Sequence, residues 1–177
     1  MTAVRQADAS DAAELSALAV ETFRLACPPD MAPEDIDAFT RENLSPERFE
    51  SFLTDPTQVL LAAENDGALV GYTLLIDRPP SDPHVDEAVT ARPAVELNKV
   101  YVRSRAHGSG AAGALMRATL DTALTHGARG VWLGVNQLNS RAVRFYEKSG
   151  FSVVGTRRFK VGDRWCDDFV MQAVLRD

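Results

Sequence analysis

Apolar positions along the chain follow two rhythms, one of helical period and one of strand-like runs. Ala12, Leu15, Leu18, Ala19 and Phe23 stand near helical spacing, which predicts a helix from a cap at Asp8 or Ser10 to about Ala26, stopped by Pro28-Pro29. Residues 2–6 before it read as a short strand. Pro33 and Pro46 open two further helices, 33–43 and 46–54, because proline suits a first helical turn. Apolar runs at 58–64 and 68–77 flank Asn65-Asp66-Gly67, a hairpin signal. Residues 78–93 hold four prolines and read as a long loop, a feature that often carries function in a compact domain. Beyond it the pattern predicts a strand at 95–102, a small-residue turn at 107–113, and a helix to about His126 ended by Gly127. A strand at 130–135 and a helix from Asn139 or Ser140 through Lys148, ended by Gly150, follow. Strands at 151–160 and 165–175 close the chain around Gly162-Asp163. This order predicts a single α/β domain over residues 1–177, a central mixed sheet flanked by helices.

Composition adds exclusions. With 177 residues, 45% apolar and 25% charged, the chain is ordinary for a folded domain and unlike disordered, collagenous or disulfide-scaffold proteins. No run approaches the 18 or so apolar residues of a membrane span, and charges occupy the place of a secretory signal, so a cytoplasmic protein is expected. Cys27 and Cys166 are expected to be free thiols. His84, His107 and His126 are scattered, so no metal site is expected. The net charge of −6 argues against a nucleic-acid partner. Its distribution is uneven. Residues 1–96 carry 19 acidic and 6 basic side chains, a net −13; residues 97–177 carry 6 and 13, a net +7. Such asymmetry can steer an anionic cofactor and a cationic substrate to different sides of one molecule.

Candidate chemistry begins at the turn. The strand ending at Val102 feeds through Arg103–Ala106 into His107-Gly108-Ser109-Gly110-Ala111-Ala112-Gly113 and then a helix. Free backbone N–H groups and the helix dipole at such a turn favour an anion, and the small side chains let it approach closely. No Gly-Lys-Ser/Thr follows, and the turn does not sit in a first βαβ unit, so neither nucleotide-loop fingerprint applies.

The segment resembles the first signature of the GNAT acetyltransferases, Gln/Arg-x-x-Gly-x-Gly/Ala, which binds the pyrophosphate of acetyl-CoA. Arg105-x-x-Gly108-x-Gly110 fits by letter. His107-x-x-Gly110-x-Ala112 is preferred, because the family leaves four residues between strand end and motif, although histidine replaces the usual first residue. The second signature, Asn-x-x-Ala-x-x-Phe-Tyr-x-x-x-Gly-Phe, is similar to residues 139–151 at full spacing. Asn139, Val143 and Tyr146 fall at i, i+4 and i+7, one face of a helix. Longer stretches, ELNKVYV, PEDIDAFT, SPERFESFLTDP and the C-terminal WLGVNQLNSRAVRFYEKSGFSVVGTRRFKVGDRWCDDFVM, are similar to the bacterial spermidine/spermine acetyltransferase branch.

The resemblance implies a largely antiparallel sheet of about seven strands, splayed between 95–102 and 130–135, with acetyl-CoA wedged at the splay. Backbone groups of Val100, Tyr101 and Val102 would take the pantetheine arm, and residues 107–113 (His107, Gly108, Ser109, Gly110, Ala111, Ala112, Gly113) the pyrophosphate. Asn139 would bind the cofactor or orient a water. Tyr146 would protonate the leaving thiolate. Glu96 is the candidate base, acting through water on the acceptor amine; the competing role is a carboxylate that anchors the substrate or meets Lys99 or an arginine. Members that acetylate ribosomal protein N-termini carry a glutamate late on the next strand, where this chain has Gly134. No metal is implied, and members of the family often dimerise.

The acceptor pocket is expected among the first helices, the 78–94 segment and the last hairpin. Residues 30–55 hold eight acidic and two basic residues, an acidic wall suited to a polyamine. Phe23 and Phe39 could pack an alkyl stem or the core, and Trp165 could line the pocket or a dimer surface. The expected function is therefore acetyl transfer from acetyl-CoA to a small cationic amine such as a polyamine. The alternatives are a protein N-terminal or lysine acetyltransferase, an antibiotic-modifying enzyme, and a non-catalytic CoA-binding sensor.

Overall fold

The computed structural model describes residues 1–27, 29–161 and 163–177. Pro28, the expected stop of the first helix, and Gly162 of the last turn lie outside the described residues. The elements run β1 (Ala3–Gln6), α1 (Ala12–Ala26), α2 (Pro33–Asn43), α3 (Pro46–Thr54), β2 (Gln58–Asn65), β3 (Ala68–Ile76), α4 (Pro83–Ala88), β4 (Ala94–Val102), α5 (Ala111–Thr125), β5 (Gly130–Asn136), α6 (Ser140–Lys148), β6 (Phe151–Val161) and β7 (Arg164–Val174). The seven strands follow the order β1-β2-β3-β4-β5-β7-β6. β1 lies antiparallel to β2, and β7 antiparallel to both β5 and β6. β4 and β5 are parallel, and among the described residues their register covers Ala94–Glu96 against Gly130–Trp132 only. β4 runs on to Val102 and β5 to Asn136.

One expectation is corrected. Residues 78–93 are not all loop: Pro83–Ala88 form α4. Asp82 caps it by accepting a hydrogen bond from the His84 amide at 2.9 Å. Pro83 occupies the first turn, the one helical position where a missing N–H costs nothing. The same proline that reads as a loop marker is here a helix start.

By compactness the chain forms two units, Met1–Leu74 with Lys99–Ala118, and Leu75–Asn98 with Thr119–Asp177. In the first, Leu61, Ala63, Val70, Ala106, Ala111 and Leu115 form one buried cluster. Gly71 of β3 sits so close to its neighbours that a Cβ there would come within 2.8 Å of the Tyr101 carbonyl and 3.0 Å of Leu115. In the β2–β3 turn Asp66 and Gly67 both have positive φ, 52° and 80°, as a type I′ hairpin demands. In the second unit, Val85 of α4 and Val89 just after it pack on Trp132 and Val170.

The 3-10 turn Ala9–Asp11 that leads into α1 is opened by a reciprocal cap. The Asp8 carboxylate accepts from the Ser10 amide, and Asp11 accepts from the Asp8 amide at 2.9 Å. The Arg5 guanidinium holds Asp11 at 2.8 and 2.9 Å and also binds Glu64. This pairing keeps the Asp11 carboxyl below its ordinary value of 3.8. A carboxylate lowered on folding stabilises fully above its unfolded pKa, and the contribution is lost as pH falls through the folded value. Asp11→Asn should therefore cost about 1–2 kcal/mol at pH 7 and flatten the decline in stability below pH 4. Urea unfolding at pH 7 and pH 3 measures both; an unchanged acid limb would assign that limb to other carboxylates.

Candidate active site

The turn that feeds α5 lies in the first unit. A single 3-10 turn, Ser104–Ala106, follows β4, and the backbone then passes through Gly108 and Gly110 at φ of 83° and 87°. Side chains rarely adopt that conformation, so glycine is required twice within three residues. α5 begins at Ala111. Its first-turn amides, Ala112 and Gly113 among them, have no carbonyl within the helix to bind, so they present donors and the positive end of the helix dipole. Ser109 Oγ turns back onto the Ala106 carbonyl at 2.6 Å. The exposed His107 ring places Nε2 3.0 Å from the Val102 carbonyl. Tyr101 and Val102 are half-buried on β4, as is Val100. The Tyr101 phenol, 5.6 Å from Tyr72 between ring centres, is pushed up to about 12, by burial first and then by the neighbouring Cys27. It stays protonated across the physiological range.

Arg117 escapes the sequence reading. Its Nη1 lies 3.4 Å from where a Cβ on Gly113 would stand, so its cation covers the first turn of α5. The i, i+4 spacing of Gly113 and Arg117 was the available signal, because helical side chains lean toward the N-terminus.

The other candidate residues lie in the second unit. Glu96 is half-buried and accepts a hydrogen bond from Asn98 Nδ2 at 3.0 Å. In the parallel ladder it stands opposite Trp132. Asn139 caps α6, its side-chain oxygen accepting from the Ala142 amide at 3.2 Å and its carbonyl from the Val143 amide. Tyr146 sits one turn beyond Val143, half-buried, with its ring 5.6 Å from Phe145 and 5.8 Å from Phe151. The cap orients the helix, and the aromatic contacts hold the phenol ring.

On the sheet face that carries Glu96 and Trp132, alternation also places Gly134 and Asn136. Gly134 has no side chain, and the Arg157 guanidinium fills its place: a Cβ there would overlap Arg157 Nη2. Arg157 lies 5.6 Å from the Trp132 ring centre, and its Nε is 3.3 Å from Asp168 Oδ2. Asp168 is only 5% exposed, and burial raises its carboxyl above 3.8 despite Arg157. Near this pair opens a cleft of about 680 Å³, bordered by Asp82, His84, Gln137, Thr156, Arg157, Arg158, Trp165 and Asp167. It joins the 78–94 segment to the last hairpin, where the sequence places part of the acceptor pocket. None of its charged residues was singled out from sequence.

A family model described as the acetyltransferase (GNAT) family matches residues 16–151. The chain belongs to that family. Among curated proteins, this acetyltransferase is 49% identical over 162 residues to an uncharacterised N-acetyltransferase of Mycobacterium tuberculosis, covering 92% of this chain and 96% of the relative. Among solved structures it is similar to PaiA N-acetyltransferase of Thermoplasma acidophilum in complex with coenzyme A (TM-score 0.77, 21% identity, 99% of each chain). It is also similar to yncA, described as an acetyltransferase, of Salmonella typhimurium with acetyl-CoA (TM-score 0.68, 23% identity, 100% of this chain and 95% of that one). At these identities the likeness to the two structures concerns the fold.

The remaining sequence-derived residues of the acetyltransferase fall as follows. The acidic run sits largely on exposed faces of α2 and α3, with Asp37 paired to Arg24 and Asp55 bonding Thr57. Phe23 and Phe39 stack on each other, ring centres 4.5 Å apart. Cys27 and Cys166 are free thiols. Among the described residues no helix is long and apolar enough to cross a membrane.

Proposed function

We propose that the protein transfers the acetyl group of acetyl-CoA to the primary amine of a small acceptor by direct attack. The observation that carries this reading is the turn at 107–113, two positive-φ glycines opening α5 within the span matched to the family. The amides of 108–113 hold the pyrophosphate, and Arg117 adds a cation beside them. Past Glu96, the edge of β4 at Val100 and Val102 accepts the pantetheine arm as an added strand; the His107 ring must leave the Val102 carbonyl if that oxygen is used. The family model spans both compact units, which supports treating 1–177 as one acetyltransferase domain working in the cytoplasm, where acetyl-CoA is made and used.

The acceptor arrives as an ammonium and must first lose a proton, which Glu96 takes through water. The amine then forms a C–N bond to the acetyl carbonyl as the C–S bond breaks. The electron pair passes to sulfur, Tyr146 delivers the proton that makes the thiol, and the second proton, shed by the new amide nitrogen, restores the phenol. A phenol with an ordinary pKa of about 10 is matched to a thiolate of similar basicity. Holding both reactants in line supplies much of the rate. No nucleophilic side chain is required.

Among acceptors, the similarity to the spermidine/spermine branch and the acidic surface of residues 30–55 favour a polyamine. CoA release measured against spermidine, spermine, amino acids, short peptides and aminoglycosides tests the reading. Turnover on a small amine is the expected result. Silence across the panel, with acetyl-CoA binding shown by calorimetry, would leave a CoA-binding sensor. Glu96→Gln should move the acid limb of the kcat/KM profile about one pH unit or more to the alkaline side. An unmoved limb would make Glu96 an anchor for the acceptor.

A further inference from the structure

Glu96 is placed twice over, by its backbone and by its carboxylate. A row of side chains crosses three strands on one sheet face. Glu96 of β4 stands opposite Trp132 of β5, and Trp132 opposite Gln172 of β7. Gln172 is 7% exposed, and its Oε1 accepts from the Thr90 and Ala91 amides at 2.9 and 3.0 Å. Its Nε2 donates to Thr90 Oγ1 at 3.3 Å. The Pro93 carbonyl accepts from the Arg129 and Gly130 amides. The stretch leading into β4 is thus tied to β7 and to the start of β5 just before the Ala94–Glu96 register begins. The freedom that remains belongs to the glutamate side chain, a flexible stem whose ordering has an entropic cost.

Asn98 removes that freedom. Alternation puts it on the same face as Glu96, and its Nδ2 lies 3.0 Å from Glu96 Oε1. A carboxylate only accepts, so the carboxamide donates. Lys99, next along β4, turns to the other face and lies over the Phe52 ring, 5.7 Å from its centre. The sequence left open whether Glu96 meets Lys99 or an arginine. Among the described residues its hydrogen-bond partner is instead a neutral amide. The carboxylate therefore keeps its whole charge for an incoming ammonium, which suits a cationic acceptor.

We propose that Asn98 is a positioning residue for acetyl transfer, holding Oε1 of Glu96 so that Oε2 meets the water through which the acceptor loses its proton. This rests on the reading of Glu96 as the base. The ammonium gives its proton to the water as the water gives one to Oε2. The electron pair of the broken N–H bond stays on nitrogen for the attack on the acetyl carbon. Asn98 exchanges no proton and acts through Glu96. A carboxylate free to rotate would spend only part of its time aimed at that water, and a misplacement of about 1 Å can cost about a hundredfold in rate.

The test is a double-mutant cycle on the full-length protein, read by CoA release with spermidine and by calorimetry with acetyl-CoA. If spermidine is not turned over, the panel amine that is turned over takes its place. Asn98→Leu keeps the side-chain volume and deletes the donor. It should lower kcat about tenfold and leave the KM of the amine and the dissociation constant of acetyl-CoA within about twofold. In the Glu96→Gln background the same change should cost less than about twofold more, because the two residues act as one unit. Asn98 is exposed, so neither variant disturbs the core, and Asn98→Ala should match Asn98→Leu. Parent-like kcat in both variants, an equal loss with and without the Glu96 carboxylate, a rise in KM alone, or a loss confined to Asn98→Leu would overturn the proposal. The reading beneath it fails differently. Glu96→Gln at parent speed, with its acid limb in place, removes the base and this role with it. Silence with every amine removes the transfer itself. A slow Glu96→Gln beside parent-like Asn98 variants removes Asn98 alone.

Discussion

Tyr146→Phe should lower kcat by about 10²–10⁴-fold, the range for loss of a positioned proton donor, and leave the dissociation constant of acetyl-CoA within about twofold. The substitution deletes one oxygen. The ring contacts to Phe145 and Phe151 use carbon faces that phenylalanine keeps. The helix itself depends on the Asn139 cap, not on the phenol. Stability should fall by no more than about 1.5 kcal/mol, the scale of one hydrogen bond, since no packing is removed. Isothermal titration with acetyl-CoA and steady-state CoA release separate the two quantities. Undiminished turnover would remove Tyr146 as the general acid. A matching loss of acetyl-CoA affinity would make it a cofactor contact.

Gly130→Ala should cost about 3 kcal/mol, at the upper end for overpacking by one methyl, and lower Tm by roughly 6–12 °C for a chain of this length. Gly130 opens β5, and a Cβ there would stand 2.4 Å from the Ala91 carbonyl oxygen and 2.8 Å from the Ala91 Cβ. Neither atom belongs to a side chain that can swing aside. The loop carrying Ala91 is pinned as well. Gln172 Oε1 accepts from the Thr90 and Ala91 amides at 2.9 and 3.0 Å, and the Pro93 carbonyl accepts from the Arg129 and Gly130 amides. Relief of the overlap must break some of these bonds. Because Ala94–Gly130 is the first pair of a register only three pairs long, Glu96 should lose its place opposite Trp132, and turnover should fall with stability. Urea unfolding within 0.5 kcal/mol of the parent would show that the loop yields freely.

Much of the architecture was legible in order of sequence. Helical spacing from Ala12 to Phe23, prolines at the starts of α2 and α3, and the Asn65-Asp66-Gly67 turn all act over a few neighbouring residues, and the structure follows them. α4 was missed because its proline carries two meanings, loop marker and first-turn residue, and only the Asp82 cap decides between them. The turn at 107–113 was legible because positive-φ glycines before a helix are a local demand. Arg117 was within reach of helical spacing. Arg157 was not. Its guanidinium fills the space of Gly134 on another strand, and no pattern near either residue reports that meeting.

By itself the sequence determined the elements other than α4, the glycine turn before α5, and the helix face that carries Asn139, Val143 and Tyr146. Each rests on backbone preference or side-chain periodicity, interactions that close within one or two turns of chain. Tertiary structure alone decided that Glu96 faces Trp132, that the run of acidic residues is an exposed surface of α2 and α3, and that Arg157, Arg158 and Trp165 border a cleft of mixed charge. Those facts depend on strand register, where a slip of one residue sends every side chain to the opposite face.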